Sequence, residues 1–274
     1  MVSRLVFAAI FIPLLLWMII SGGVPFLVMW EIIVGFMLYE FYDMIQKKGI
    51  QVFKKTGMVL GLLLPIIYFL SNYIDAIEHE KFMYFFLVIC FFIIVARKIL
   101  QNNPHNILKE VGFTLFGLIY IVFLFAFLLR MLLMPDGNLW ALTTFLLVWA
   151  TDSAAFFVGL SIGKHKLAPN ISPKKSIEGA IGGLLGAIGA MIIIQHWYLA
   201  NLHLSWGFVI GLGFFAGILG QLGDLTESAI KRDLDIKDSS TILRGHGGFL
   251  DRFDSILFVA PLVYYFVRVF ILGN

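Results

Sequence analysis

The sequence of 274 residues has little charge for its length. Asp, Glu, Lys and Arg make up 14% of it, whereas 60% is hydrophobic and the mean hydropathy is +0.94. Soluble domains hold about 45–50% apolar residues, and the apolar runs here reach the roughly 20 residues that a membrane-spanning helix needs. The composition therefore excludes an ordinary soluble protein and predicts an all-α, polytopic integral membrane protein.

Cysteine and the common nucleotide and metal motifs are also scarce. The single cysteine, Cys90, lies in an apolar run, which excludes an intrachain disulfide and any site built from several cysteines. The sequence has no GxxxxGK[ST] phosphate loop and no HExxH zinc pair. These absences exclude a P-loop nucleotide site and a zincin site, and we expect no nucleic-acid partner.

The long apolar segments divide the chain into about nine predicted transmembrane helices. We expect residues 1–135 to hold the amino-terminal transmembrane helices. Residues 136–274 would form a carboxy-terminal catalytic region with loops at 162–176 and 229–251. The predicted spans are 4–21, 25–44, 56–73, 82–97, 108–134, 138–161, 177–199, 204–228 and 252–272.

The positive charge indicates the orientation of these spans. With nine crossings, all but three of the 20 Lys and Arg residues fall on one side, the exceptions being Lys81, Arg130 and Arg268. Excess Lys and Arg mark cytoplasmic loops. The pattern predicts a cytoplasmic amino terminus, with both long loops on the cytoplasmic side of the cell membrane.

The end of the eighth span combines acids, a hydroxyl and an amine. Asp224, Glu227, Ser228 and Lys231 have the spacing i, i+3, i+4, i+7, which places them on one helix face. The next span opens with "DRFDS", in which Asp251 and Asp254 again share a face. Acids at a helix start and cations at the cytoplasmic boundary also have ordinary explanations. Together, however, the two helix ends predict a site where carboxylates hold a hard cation such as Mg²⁺.

The loop between these helices offers groups for binding anions. Arg binds phosphate through two parallel hydrogen bonds and Lys as a point charge, and the glycines of "GHGG" permit close backbone approach. We expect His246, between two glycines, to act as a phosphate donor or a proton relay. The cations near the loop are Lys231, Arg232, Lys237, Arg244 and Arg252.

The second polar loop, "APNISPKKSIEGAIGG", is expected to approach the same site. Ser172-Pro173 predicts a turn and the start of a helix, and Lys174 and Lys175 would reach phosphates or lipid headgroups. The following glycines favour close helix packing; they are Gly182, Gly183, Gly186 and Gly189.

Two acids lie alone inside apolar spans. Asp152 is a candidate for function, because an ionisable group within a span is costly and usually faces a polar cavity. Glu40 is expected to hydrogen-bond to other spans. It lies nine residues after Glu31, and at 100° per residue the two face opposite sides of the helix.

The charged segment resembles the phosphatidate cytidylyltransferases, also called CDP-diacylglycerol synthases. "TDSAAFFVG" and "SPKKSIEG" also look like segments of that family. Two positions depart from the family pattern: Ser240 stands where glycine is usual, and Arg244 where proline is usual. The matching residues are Ser228, Ile230, Lys231, Arg232, Lys237, Asp238, His246, Gly247, Gly248, Phe249, Asp251, Arg252, Phe253 and Asp254.

The resemblance implies the condensation of CTP with phosphatidate to CDP-diacylglycerol and pyrophosphate. Asp224, Asp251 and Asp254 would bind magnesium, with a second cation as an option, and Ser228 and Lys231 would act with them in catalysis. CTP would come from the cytoplasm and phosphatidate from the inner leaflet, and a homodimer among membrane lipids is implied. The implied substrate-binding residues are Asp152, Lys174, Lys175, Arg232, Lys237, His246 and Arg252.

Three other interpretations remain open at the level of sequence. An ion-coupled transporter would use Asp152, Asp224 and Glu40 as a cation path, but it predicts related halves and leaves the charged loop unexplained. A CTP-dependent transferase acting on another lipid would need the same polar groups. A non-catalytic relative is suggested by Arg244 and opposed by the intact acids.

Overall fold

The computed structural model of the chain describes residues 2–71, 79–240 and 247–273. It is built from helices with one small β-hairpin. The helices are α1 (Val2–Ser21), α2 (Gly23–Lys47), α3 (Lys54–Ser71), α4 (His79–Leu100), α5 (Ile107–Gly117), α6 (Leu124–Leu132), α7 (Gly137–Ile162), α8 (Ile177–Trp197), α9 (Trp206–Asp233) and α10 (Leu250–Val267). This architecture confirms the all-α prediction.

Seven helical segments of the described chain are long and apolar enough to cross a membrane. One of them runs over Ile107–Leu132, because a π-helical turn at Leu118–Phe123 joins α5 to α6 without a break. Each of the nine predicted spans coincides with a described helical segment, but α1 and α3 are not among the seven. The chain is therefore a polytopic membrane protein, and the count of nine crossings stays a prediction.

Helix α2 lies at the centre of the amino-terminal half. The Trp30 indole donates to the carbonyl of Phe125 over 3.0 Å, and the Tyr42 hydroxyl donates to the carbonyl of Thr114 over 2.8 Å. Gly57 and Gly117 leave the space that the Tyr42 ring fills, since a side chain at either glycine would overlap it. These contacts fix α2 against α3, α5 and α6.

Small residues bring the carboxy-terminal helices together. Side chains at Gly183 and Gly186 would collide with α7, and one at Gly223 would overlap the backbone of α10 at Asp254. The predicted packing role is confirmed for Gly182, Gly183 and Gly186. It is wrong for Gly189, where an added side-chain carbon would meet no atom of the described residues within 4 Å. Close approach at Gly223 is what places the polar ends of α9 and α10 side by side.

The loop predicted at 162–176 contains an antiparallel hairpin. Strand β1 (Lys166–Ala168) pairs with β2 (Ser172–Ser176), with Lys166 opposite Ser176. The predicted helix start at Ser172-Pro173 is wrong. Helix α8 begins at Ile177 because the Ser176 hydroxyl accepts the Gly179 amide over 3.1 Å, and Pro173 lies in the strand.

Candidate active site

The polar face of α9 forms as its spacing predicts. Ser205 caps the start of the helix by accepting the Phe208 amide over 3.2 Å. Toward the other end, the Ser228 hydroxyl donates to Asp224 over 3.4 Å, and Lys231 pairs with Glu227 one turn earlier. The side chains of Glu227 and Lys231 are 1% and 10% exposed, so this ion pair is shielded from solvent.

The start of α10 meets this face. Lys231 Nζ lies 2.5 Å from Asp251 Oδ1, so that one ammonium group stands between carboxylates of two helices. Asp254 follows one turn later and is buried, and its Oδ1 accepts the Ser255 amide over 2.7 Å. The prediction that the two polar helix ends meet is confirmed.

Two further elements reach the same place. Lys175 of β2 lies 2.7 Å from Asp224 Oδ2. Asp152, on an exposed face of α7, is close enough to Asp224 and Lys175 to interact electrostatically with both. The hairpin and α7 thus supply a cation and an acid from outside the α9–α10 pair.

The described part of the site has more carboxylates than ammonium groups. Lys175 and Lys231 are the cations of its described ion pairs. Asp254 is near both Asp152 and Asp224, and Glu227 is near both Asp251 and Asp254, so like charges repel across the site. The acids are Asp152, Asp224, Glu227, Asp251 and Asp254. Such a cluster of acidic side chains offers several oxygen ligands for a cation of higher charge.

The described residues contain no set of three His, Cys, Asp or Glu side chains already arranged around a metal position. Mg²⁺ does not require one, because it commonly takes one or two carboxylates together with water and substrate phosphates. Asp224 and Asp254 fit that kind of ligand set, since their repulsion is only partly offset by the lysines. The donor chemistry of the site therefore suits magnesium.

Asp251 has other partners. Its Oδ1 accepts Lys231, and its Oδ2 accepts the amides of Ser239 and Gly248 over 3.1 and 2.7 Å. The Ser239 hydroxyl lies 2.8 Å from the same Oδ2. Asp251 therefore joins Lys231 to the loop before α10, and its assignment as a metal ligand stays a prediction.

The remaining predicted binding residues lie around this centre. Lys174, Lys237 and Arg252 are exposed. Arg232 is also exposed, and it donates to the backbone carbonyls of Ile171 and Ile236 over 3.2 Å each, which ties the hairpin to the end of α9. His246 and Arg244 lie outside the described residues.

Two groups near the site, Tyr120 and Ser239, were not singled out from the sequence. The hydroxyl of Tyr120, in the π-helical turn, is buried without a hydrogen-bond partner among the described residues and faces the charges of Asp254 and Glu227. Glu40 was predicted to hydrogen-bond to other spans, and this is confirmed: it accepts the Leu250 amide at the start of α10 and the hydroxyl of Ser239 in the preceding loop. The only sequence signal for Glu40 was that of a lone acid in an apolar span.

An exposed ion pair beyond the site joins α2 to the loop after α9. Lys48, at the end of α2, pairs with Asp235, and this cation holds the pKa of the Asp235 carboxyl below its usual value. The sequence gives no sign of this pair, because its two members are 187 residues apart.

The fold and this charged cluster define a class: an integral membrane protein with a polar site, rich in acidic side chains, where two helix ends meet. Comparison with known proteins makes the class specific. The sequence pattern of the cytidylyltransferase family matches residues 2–270. The chain therefore belongs to the cytidylyltransferase family, and it is a nucleotidyltransferase.

Relatives from three bacteria cover nearly the whole chain. The phosphatidate cytidylyltransferase of Bacillus subtilis (strain 168) is 34% identical over 260 residues, with 93% of each chain covered. That of Staphylococcus aureus (strain COL) is also 34% identical, covering 93% of this chain and 92% of its own. That of Synechocystis sp. (strain ATCC 27184 / PCC 6803 / Kazusa) is 32% identical, covering 97% and 96%.

Proposed function

We propose that the chain condenses CTP with phosphatidate to give CDP-diacylglycerol and pyrophosphate. The relatives that cover more than nine-tenths of it carry the name of this activity. The observation that carries the proposal is the junction of α9 and α10, where Lys231 lies between Glu227 and Asp251 and carboxylates outnumber lysines. This arrangement suits a reaction between two anions that must be brought together with metal help.

In the proposed reaction, an oxygen of the phosphatidate phosphate attacks the α-phosphorus of CTP. The new P–O bond forms as the bond to pyrophosphate breaks. No general base is required, because a phosphomonoester with a second pKa of about 6 is already largely dianionic at neutral pH. The obstacle is charge repulsion, and groups that stabilise charge on the attacking and leaving oxygens lower it.

The cations of this chain would hold the phosphates. Lys175 and Lys231 stand inside the cluster, and Lys174, Arg232, Lys237 and Arg252 lie exposed around it. Ser228 would add a hydroxyl donor beside Asp224. His246 would act on a phosphate from the loop. Asp152 would help to close the cavity from α7.

Magnesium is the proposed cofactor, held by Asp224 and Asp254, with Asp251 as the third predicted ligand and a second cation as an option. When bound, it would neutralise phosphate charge and help to orient the two substrates. The acidic excess around Asp254 supports this assignment, because magnesium would relieve the repulsion among Asp152, Asp224 and Asp254.

The orientation and setting belong to the proposal as well. Nine crossings with the amino terminus in the cytoplasm would place the site at the cytoplasmic face of the cell membrane, open to CTP. Phosphatidate would enter from the inner leaflet, and the protein would act as a homodimer. The distribution of Lys and Arg in the sequence supports this orientation.

The test is turnover of labelled CTP by purified protein in detergent, with phosphatidate as acceptor, with and without magnesium. Metal-dependent formation of CDP-diacylglycerol is the expected result. If well-folded protein converts none of several phosphatidates, the proposal is wrong. A CTP-dependent reaction with another lipid acceptor, such as an isoprenoid alcohol, would keep the reaction class and replace the substrate.

A further inference from the structure

Glu40 of α2 reaches across the molecule to the loop before α10. Its side chain is buried, at 1% exposure. Oε1 accepts the Ser240 hydroxyl over 2.5 Å and the Phe249 amide over 3.0 Å. Oε2 accepts the Leu250 amide over 2.9 Å and lies 3.2 Å from the Ser239 hydroxyl. Four donors from a segment some 200 residues away therefore surround one carboxylate.

These bonds meet a specific need of α10. The first amides of a helix have no partner within the helix, and the residue before α10, Phe249, has no side chain that could cap it. Glu40 accepts two of these amides, and Asp251 accepts the preceding amide of Gly248. A carboxylate is also favoured there by the helix dipole. Glu40 thus acts as the amino-terminal cap of α10, although it belongs to α2.

The caps are linked to each other through Ser239. Its hydroxyl lies 2.8 Å from Asp251 and 3.2 Å from Glu40. Because a hydroxyl has one proton, it serves either carboxylate but not both at full strength. Gly248 leaves the space for this arrangement, since a side chain there would overlap both Ser239 and Glu40. A displacement of Glu40 would therefore also shift Asp251, through the shared Ser239 hydroxyl.

Helix α2 is a firm base for this contact. The Tyr42 hydroxyl binds the backbone of α5, and the Phe36 ring, one turn before Glu40, stacks on Phe249 with centroids 4.7 Å apart. At the end of α2, Lys48 pairs with Asp235. The amino-terminal half thus holds the described ends of the α9–α10 loop at three points.

We propose that Glu40 is a positioning residue for the active site. It sets the start of α10, and through it the places of Asp251 and Asp254 relative to Lys231. It does not touch substrate in this role. The amino-terminal half then contributes to the reaction by orienting the catalytic helix, in addition to its membrane contacts. The link to turnover rests on the proposed function, whereas the capping role does not.

The test compares Glu40→Gln with Glu31→Gln. The first keeps the shape but turns an NH₂ group toward one of the backbone amides, so that two donors face each other. The second removes a carboxylate from the opposite face of the same helix, where Glu31 Oε1 has no hydrogen-bond partner among the described residues. Each variant is purified in detergent beside the wild type.

Hydrogen–deuterium exchange is the first readout and needs no activity. In Glu40→Gln, the amides of Phe249 and Leu250 should exchange at least about tenfold faster, as expected for the loss of a hydrogen bond to a charged group. The remainder of α2 and α5 should keep wild-type rates. Glu31→Gln should leave the exchange of residues 247–252 unchanged.

Turnover of CTP with phosphatidate is the second readout. Glu40→Gln should lower kcat by about 10- to 100-fold, the range found when groups that orient catalytic residues are removed. It should also raise the magnesium concentration that gives half-maximal rate. Loss of folded protein would lower the rate without shifting that concentration, so the shift separates positioning from general damage.

The outcomes are distinct. Wild-type exchange at residues 247–252 together with wild-type kcat in Glu40→Gln would overturn the inference. So would faster exchange throughout the chain with an unchanged magnesium dependence. A wild-type protein that makes no CDP-diacylglycerol would overturn the proposed function, while the exchange result would still decide whether Glu40 caps α10.

Discussion

Two buried lysines, one in each half of the molecule, have different surroundings. Lys98 of α4 pairs with Glu110 of α5 over 2.8 Å, and their side chains are 2% and 8% exposed. Lys231 of α9 is nearly as buried but stands between Glu227 and Asp251, with Asp254 close to Glu227. The first pair has equal charges of each sign, whereas the second cluster has an excess of carboxylates.

This difference in charge balance distinguishes a structural ion pair from a candidate active site. A buried pair with matched charge needs no further partner, although its net contribution to stability is small because of desolvation. A cluster with excess charge of one sign remains costly until a ligand balances it. Protein structures retain such costs mainly where function requires them. Lys98 and Glu110 therefore join two helices, and the cluster at Lys231 is where we expect substrates and metal.

Asp254→Asn tests this distinction with the largest expected effect. The variant removes one charge from a group that Asp152 and Asp224 repel, so the folded protein should not be destabilised. Turnover should fall by about 100- to 1,000-fold, as when one group that stabilises the transition state is lost. Thermal unfolding in EDTA and turnover with magnesium are the measurements.

The combination of the two results is decisive for Asp254. An unchanged rate would remove Asp254 from the site. A lower melting temperature of the variant in EDTA would show that the Asp254 charge is already balanced in the metal-free protein. The cluster at Lys231 would then not differ from the matched Lys98–Glu110 pair.

Glu110→Gln should give the opposite result. It leaves the Lys98 ammonium buried without its carboxylate, and breaking one partner of a buried pair costs about 3–5 kcal/mol. Turnover per folded molecule should stay within about twofold of wild type. Glu110 lies outside the charged cluster, so its loss should hardly change the activation free energy of the reaction. Denaturant unfolding and active-site titration measure the two quantities separately. A loss of turnover in the folded fraction would place this pair in the catalytic machinery.

Lys175→Met should have a smaller effect than Asp254→Asn. It removes the cation that lies 2.7 Å from Asp224, so the KM for CTP should rise about tenfold, in line with one charged hydrogen bond. Lys174→Met is the matched comparison, because the neighbouring side chain is exposed on the same strand. Its KM should rise less. Equal changes in both variants would mean that Lys175 acts only as general positive charge.

Features that depend on local spacing could be predicted from the sequence. The common face of Asp224, Glu227 and Lys231 follows from 3.6 residues per turn, and the polar start of α10 follows from the position of Asp251 and Asp254. The packing of Gly183 and Gly186 follows from glycine patterning. Each of these properties is decided within a few residues, so no knowledge of distant contacts was needed.

Features that depend on distant partners could not be predicted. Glu40 has no sequence neighbour that indicates Ser239, Ser240 or the start of α10. The predicted span begins at residue 177, as α8 does, but the helix entry expected from the turn chemistry of Ser172-Pro173 was wrong. Hairpin pairing holds Pro173 in a strand, and Ser176 caps the helix. Competing local signals of this kind are resolved only by tertiary contacts.

Ser240→Gly should have the smallest effect and sharpens the role of Glu40. Ser240 stands at a position where the family resemblance of the sequence predicts glycine. Its hydroxyl supplies one of the four donors around Glu40. The backbone amides of Phe249 and Leu250 would still hold the carboxylate. Since one hydrogen bond contributes about 1 kcal/mol net, kcat should change less than about fivefold, far less than in Glu40→Gln. Exchange at residues 247–252 and kcat are the measurements. A loss as large as that of Glu40→Gln would mean that the serine, and not the amide cap, holds α10 in place.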